Sequence, residues 1–270
     1  MSILQMLIAA AEPVYGTAAP TIARYLYEDL FQGQNRNEAY LEQICQRLHR
    51  AEPWQYLVGQ APFLGHNIGV SPAVLIPRPE TEEWVARFIA EHRPWAGQNK
   101  KVLDLGTGSG CIAIALQLAF PNWTVYAADK SPQALAQAQQ NAQALGANVH
   151  FHEMDGLSLE AWQALPPFDV ILSNPPYIPK EEAKLMPPWV LAHEPHLALF
   201  TDEQGDALVF YRFLATHGPQ LLQAQGEVWM ELNEFWGKES LALFQDQSKW
   251  QSCQLGLDYE GKERWLKAIR

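Results

Sequence analysis

The chain has 270 residues, 48% hydrophobic and 18% charged, a composition too apolar for a disordered segment and sufficient to bury one or two cores. Its 19 Lys and Arg against 30 Asp and Glu leave a formal net charge of -11, which excludes a strongly basic chain built to grip a phosphate backbone. Cys45, Cys111 and Cys253 are too few and too far apart for a disulfide framework or a Cys-x-x-Cys knuckle, so a reducing, cytoplasmic setting is expected.

No Lys or Arg precedes Arg24, so the short apolar start is not expected to act as a secretory signal. No apolar run approaches membrane-spanning length, and no membrane partner is expected. Ser2-x-x-Gln5 has capping-box form, Ile22, Tyr25, Leu26 and Leu30 follow helical spacing, and Leu41, Ile44 and Leu48 repeat it. These predict a small helical bundle. From Gly59 the texture changes to Pro, Gly and short β-branched runs, Ile68 to Val70 and Val74 to Ile76, which suits a hairpin or an extended linker. The expected division is a helical domain over residues 1–60, a hairpin linker over 61–79 and an α/β domain over 80–270. Residues 1–80 hold five basic and seven acidic side chains, and residues 81–270 hold 14 and 23, so averaging hides no basic arm.

Trp84, Val85, Phe88 and Ile89 share one face of a predicted helix, after which apolar runs and helical patterns alternate as in βαβ units. The runs are 102–105, 123–128, 149–151 and 168–172. Between the second and third, Ser131 is placed as N-cap, Pro132 at the first helical position and Gly146 at the stop. Runs at 226–232, 250–257 and 264–269 flank a helical stretch near 238–244. Seven strands, about five of them parallel, predict a Rossmann-like, mostly parallel, doubly wound sheet.

The first run opens into Asp104-Leu105-Gly106-Thr107-Gly108-Ser109-Gly110, a strand followed by a Gly-rich turn and a helix. Three positions without Cβ let backbone approach a ligand closely. A dinucleotide fingerprint wants a glycine where this chain has Cys111, so the tighter G-x-G-x-G loop suits a ligand without a pyrophosphate. Asp129, ending the next strand, is placed to accept from two ribose hydroxyls, and Asp155-Gly156, ending the third, to meet an adenine amino group. S-adenosylmethionine, a nucleoside without phosphate, fits this pattern better than NAD. The implied chemistry is methyl transfer.

The fourth run ends in Asn174-Pro175-Pro176-Tyr177, at the carboxyl edge where doubly wound sheets bind ligands. A planar NH2 group is a poor nucleophile because its lone pair is delocalised. If the Asn174 side-chain oxygen and the Pro175 carbonyl each accept one of its N–H bonds, the nitrogen is held facing a methyl donor and can pyramidalise. Asn174, Pro175 and Tyr177 are thus the candidate catalytic residues, with Tyr177 expected to stack on the flat amide or base. The same elbow chemistry would serve an adenine-amino methyltransferase, although the chain has no basic patch for nucleic acid.

Four motifs together closely resemble the release factor glutamine methyltransferase family. They are Val74-Leu75-Ile76-Pro77-Arg78-Pro79-Glu80-Thr81-Glu82, Asp104 to Gly110, Asn174-Pro175-Pro176-Tyr177-Ile178, and Asp258-Tyr259-x-Gly261-x-x-Arg264. The first is the most specific, and it argues against both the adenine enzymes and the sister ribosomal-protein glutamine methyltransferases. The resemblance covers nearly the whole chain. It implies a class I methyltransferase fold and a methyl group passing from S-adenosylmethionine to the glutamine of a Gly-Gly-Gln motif in peptide-chain release factors, modulating translation termination. It implies cofactor contacts at Gly106, Thr107, Gly108, Ser109, Gly110, Asp129, Asp155, Gly156 and Asn174, and glutamine binding by Asn174, Pro175, Pro176 and Tyr177. A release factor is the implied partner, docked with help from the helical domain; no direct nucleic acid contact is implied, and a monomer is expected. Gly156 stands where relatives often have a bulky aromatic, so ring packing is expected from Leu157. Glu231-Leu232-Asn233 departs from a Glu-then-Gly texture.

His150 with His152, and His193 with His196, lack a full metal ligand set, so no metal is expected. Lys180 to Lys184 reads as a solvated helix face, Glu194-Pro195 as structural support beyond the elbow, Cys111 as packing, and Trp189 as a candidate substrate contact.

Overall fold

The computed structural model describes residues 1–201, 205–245 and 248–270. Helices α1 (Ile3–Tyr15), α2 (Ala19–Leu30), α3 (Glu38–His49) and the short α4 (Trp54–Val58) surround a core of their own that includes Leu7, Leu26, Ile44 and Leu48. Ser2 and Gln5 form the expected reciprocal capping box. Strands β1 (Gln60–Phe63) and β2 (His66–Gly69) make an antiparallel hairpin, closed by Leu64 and Gly65 at φ of +48° and +79°. Two successive positive φ values match the right-handed twist of the flanking strands. The Glu82 carboxylate accepts the Leu64 N–H at 3.0 Å and fastens this turn to α5 (Pro79–His92).

Strand β3 (Lys101–Leu105), α6 (Cys111–Ala119), β4 (Thr124–Asp129), α7 (Pro132–Leu145), β5 (Val149–Glu153) and β6 (Phe168–Ser173) follow the predicted alternation. Ser131 caps α7 by accepting the Ala134 N–H, and Gly146 ends it in the left-handed region. After β6 come α8 (Pro188–His193), α9 (His196–Leu199), α10 (Val209–Leu221), β7 (Leu222–Glu231), α11 (Gly237–Gln245), β8 (Ser252–Leu257) and β9 (Glu263–Ile269). Lys180–Leu185 winds as a 3-10 turn rather than as the α-helical face expected for residues 180–184.

The seven-stranded sheet has the order β5-β4-β3-β6-β7-β9-β8, parallel from β5 to β7 and antiparallel at β7/β9 and β9/β8. Alternate residues feed two cores on opposite faces: Val102, Val170, Leu172 and Trp229 join Trp84 and Phe88 of α5, whereas Leu103, Ile171, Val228 and Met230 join Tyr211 of α10 and Phe244 of α11. The chain runs outward from β3 to β5, then returns to place β6 on the other side of β3. This order reversal opens a crevice between the ends of β3 and β6. Leu105 lies opposite Ser173, whose hydroxyl donates to the Leu105 carbonyl at 2.8 Å. Two motifs remote in sequence thereby become neighbours. Among the described residues no helix is long and apolar enough to cross a membrane.

Candidate active site

The crevice widens into an open-mouthed cavity, whose empty space of about 1090 Å³ includes solvent beyond the mouth. Gly106, Thr107, Gly108 and Ser109 line it, with φ of +75° at Gly106 and +54° at Gly108, backbone that a side chain would strain. The Gly106 and Thr107 N–H groups both donate to the Ala128 carbonyl, at 2.8 and 3.0 Å, so β4 fixes the turn. Beneath it, the fully buried Asp104 accepts from Thr107 Oγ1 at 2.6 Å and from the Ala113 N–H at 3.1 Å. Burial pushes its carboxyl up to about 7. Gly110 is absent from the cavity wall. Its φ is +82°, and a Cβ there would stand 3.0 Å from the Ala138 Cβ, so this glycine serves the packing of α6 on α7.

Asp129 lines the cavity with both oxygens engaged: Oδ2 accepts the Gly108 N–H at 2.9 Å and Oδ1 the Ser131 N–H at 2.8 Å. Burial raises its pKa, the same N–H donors opposing the rise. Each oxygen keeps a further lone pair for a hydroxyl. Asp155 and Gly156 line the next stretch of wall. Burial alone would raise Asp155, but the Lys130 ammonium at 2.8 Å and the Leu157 N–H hold its pKa below the ordinary value. Leu157 does not reach the cavity. A Cβ at Gly156 would stand 2.9 Å from Leu105 Cδ1, so Leu105 fills the space that a larger residue would take. Leu105, Met154 and Phe210 supply apolar wall instead, and nothing local marked Phe210 for that place.

Asn174, Pro175 and Pro176 line the wall beside the glycine turn, with the Asn174 carbonyl oxygen 3.9 Å from where a Cβ on Gly106 would stand. Asn174 Nδ2 donates to Thr81 Oγ1 at 3.1 Å, and Thr81 donates to Glu231 Oε2 at 2.5 Å. Trp84 Nε1 reaches the same oxygen at 2.8 Å, and the Tyr177 hydroxyl reaches Oε1 at 3.1 Å. Burial raises the Glu231 pKa against these three donors and the nearby Arg264. Tyr177 is therefore not part of the cavity wall. Its ring borders a shallower groove with Leu185, Phe235 and Arg264, and its tethered hydroxyl leaves less freedom to stack than expected. Arg264 is held by Asp258 at 3.0 Å across the turn of the fourth motif.

Arg78 Nη2 meets the buried Glu194 Oε1 at 2.5 Å, and Glu194 Oε2 accepts the Ile76 N–H at 3.2 Å, strapping the Ile-Pro-Arg segment to the loop beyond the elbow. Asn141 of α7 ties β2 to the glycine turn by donating to the carbonyls of Gly69 and Ser109, at 2.9 and 2.8 Å. Cys111 touches the cavity, but burial pushes its thiol up to about 12, leaving it inert as a nucleophile. Trp189 lines neither concavity, and His193 and His196 spend their Nε2 atoms on the carbonyls of Arg50 and Leu191.

The wall has the chemistry of a nucleoside site. It offers carboxylates for hydroxyl or amino groups and apolar surface for a ring, while its two cations, Arg78 and Lys130, are each already paired with a carboxylate, so no free charge awaits a phosphate. Residues 85–202 match the family described as methyltransferase small domain. A release factor glutamine methyltransferase of Bacteroides thetaiotaomicron is 41% identical over 230 residues, 85% of this chain and 80% of that protein. One of Lactococcus lactis is 39% identical over 226 residues, 84% and 80% of the two chains. A methyltransferase structure from Pyrococcus furiosus shares the fold, with a TM-score of 0.52 at 18% identity over 76% of this chain and 89% of that one. The cavity at the β3/β6 reversal, the nucleoside chemistry of its wall and this extent of shared sequence lead to one assignment: the chain belongs to the release factor glutamine methyltransferase family.

Proposed function

We propose that this methyltransferase modifies the side-chain amide nitrogen of the glutamine in a release factor's Gly-Gly-Gln motif. S-adenosylmethionine is its cofactor, and when bound it supplies a methyl group on a positively charged sulfur, an electrophile that needs no metal. Gly106 to Ser109, Asp129, Asp155 and Gly156 would hold it, with Asp129 toward the ribose hydroxyls and Leu105, Met154 and Phe210 offering apolar wall. The observation that carries the reading is the placement of Asn174 and the glycine turn side by side on the wall of one cavity, at the paired ends of β6 and β3.

Asn174 Oδ1 and the Pro175 carbonyl would each accept one N–H of the incoming amide. That fixes the nitrogen and lets its lone pair turn out of conjugation, and holding the reacting groups in this way lowers the barrier mainly through orientation. The product sheds its extra proton to solvent. Pro176 closes the wall, while Tyr177 supports the elbow from behind. The domain division is part of the same reading: the helical core confined to residues 7–57 supports a separate docking module at 1–60, and a linker at 61–79, which holds most of the β1–β2 hairpin, joins it to the catalytic unit at 80–270. A net charge of -11 favours a basic protein surface over a nucleic acid as partner.

Asn174→Ala is expected to lower transfer to a release factor by about 10³-fold while leaving S-adenosylmethionine affinity within about threefold, because it removes an acceptor used on the amide rather than the main cofactor contacts. Radiometric transfer with calorimetric cofactor binding checks this, and full activity in the variant contradicts the elbow mechanism.

A further inference from the structure

Glu231 was not among the residues expected to act, yet it is 1% exposed and gathers three donors from two parts of the chain: Thr81 and Trp84 of α5, and Tyr177 of the elbow. A carboxylate has no proton to give, so the one hydroxyl hydrogen of Thr81 is spent on Glu231 Oε2. Toward Asn174 the Thr81 oxygen can then only accept. The atom of Asn174 at 3.1 Å from it must be the NH2 group, and the amide's other end, Oδ1, is left free of protein partners among the described residues.

We propose that Glu231, acting through Thr81, is the positioning device that locks the Asn174 amide with its oxygen as the free end, so that the site offers an acceptor to a substrate NH2. The same carboxylate anchors the far end of the elbow through Tyr177, so Asn174 and Tyr177 are referred to one buried point. This rests on the reading of Asn174 as the amide-binding residue. Without the relay the Asn174 side chain can flip, and an outward NH2 would meet the substrate NH2 donor to donor. A protonated Glu231 leaves the logic intact: Oε2 already takes two donors, so the proton sits on Oε1 and is given to the Tyr177 oxygen, while Thr81 still donates to Oε2.

Transfer to a release factor is compared for wild type, Thr81→Val, Thr81→Ser and Asn174→Ala, with cofactor affinity and melting temperature measured for each. Thr81→Val keeps the shape and removes the hydroxyl; kcat is expected to fall at least about tenfold, with the KM for release factor and the Kd for S-adenosylmethionine within about twofold. Thr81→Ser restores the hydroxyl and is expected to keep kcat within about threefold of wild type. A purely structural role would not give this split between kcat and affinity with rescue by serine. Wild-type kcat in Thr81→Val, or a serine variant as impaired as the valine one, overturns the relay. Should the valine variant fail to fold, Thr81→Cys, of similar volume but a poor acceptor, carries the comparison, and equal kcat for cysteine and serine overturns the proposal. The failures are distinguishable. No transfer by wild type defeats the proposed function, and full activity of Asn174→Ala defeats the elbow; either removes the footing of the relay. Relay failure alone leaves wild type active, Asn174→Ala inactive and Thr81→Val active.

Discussion

Asp129 illustrates how one side chain shapes a loop and prepares it for a ligand. Its two oxygens hold the N–H groups of Gly108 and Ser131, so the carboxylate fixes the glycine turn and the entry to α7 before anything binds. Asp129→Ala is expected to weaken S-adenosylmethionine binding by at least about tenfold, since it removes both a charge-assisted acceptor and the brace on the turn; calorimetry reads the change. Asp104 makes a different prediction, about stability. Its carboxyl titrates near 3.8 when unfolded and at about 7 when folded, because burial disfavours the charge. The folded state therefore binds more protons than the unfolded state between these values, and the contribution is present below about pH 4 and lost as pH rises toward 7. Asp104→Asn cannot ionise, so its unfolding free energy in urea should vary less with pH across that window than that of wild type.

At the scale of elements, local chemistry announces itself and long-range pairing does not. The capping box at Ser2 and Gln5, the Ser131-Pro132 start of α7 and its Gly146 stop are signals within a few residues, and each helix forms where they place it. Asn141 looks like one more polar residue in a Gln- and Ala-rich helix; its partners, the carbonyls of Gly69 and Ser109, reach it only once the hairpin has folded onto α7. Glu231 is similar, because its meaning depends on β7 lying beside β6 and on α5 crossing nearby. Leu157 was expected to pack a ring, but the absent Cβ of Gly156 makes room for Leu105, a contact between neighbouring strand ends that no local pattern encodes. Gly110 belongs to the nucleoside motif by spacing and to helix packing by structure. Gly110→Ala is accordingly expected to destabilise the protein by roughly 1–3 kcal/mol, through left-handed backbone and a Cβ 3.0 Å from Ala138, as read by chemical denaturation.

For the whole molecule, the ordering principle is the crevice at the β3/β6 reversal and the way distant segments are strapped around it. The Arg78–Glu194 pair draws the segment before α5 against the loop after the elbow, and Glu194 also takes the Ile76 N–H. Arg78→Ala leaves a buried carboxylate without its counter-charge and is expected to destabilise the fold by about 1–3 kcal/mol, seen as a lowered melting temperature. The same variant should speed proteolysis within residues 73–78. The charge of -11 disfavours a nucleic-acid partner; set beside the amide-binding role proposed for the elbow, it favours a basic protein substrate, whose binding should weaken as salt rises. The measurement that tests the account most directly is methyl transfer from labelled S-adenosylmethionine to a release factor, run beside a release factor whose Gly-Gly-Gln glutamine is changed to alanine. Label in the natural release factor alone is the predicted result; label in both, or in neither, would contradict it.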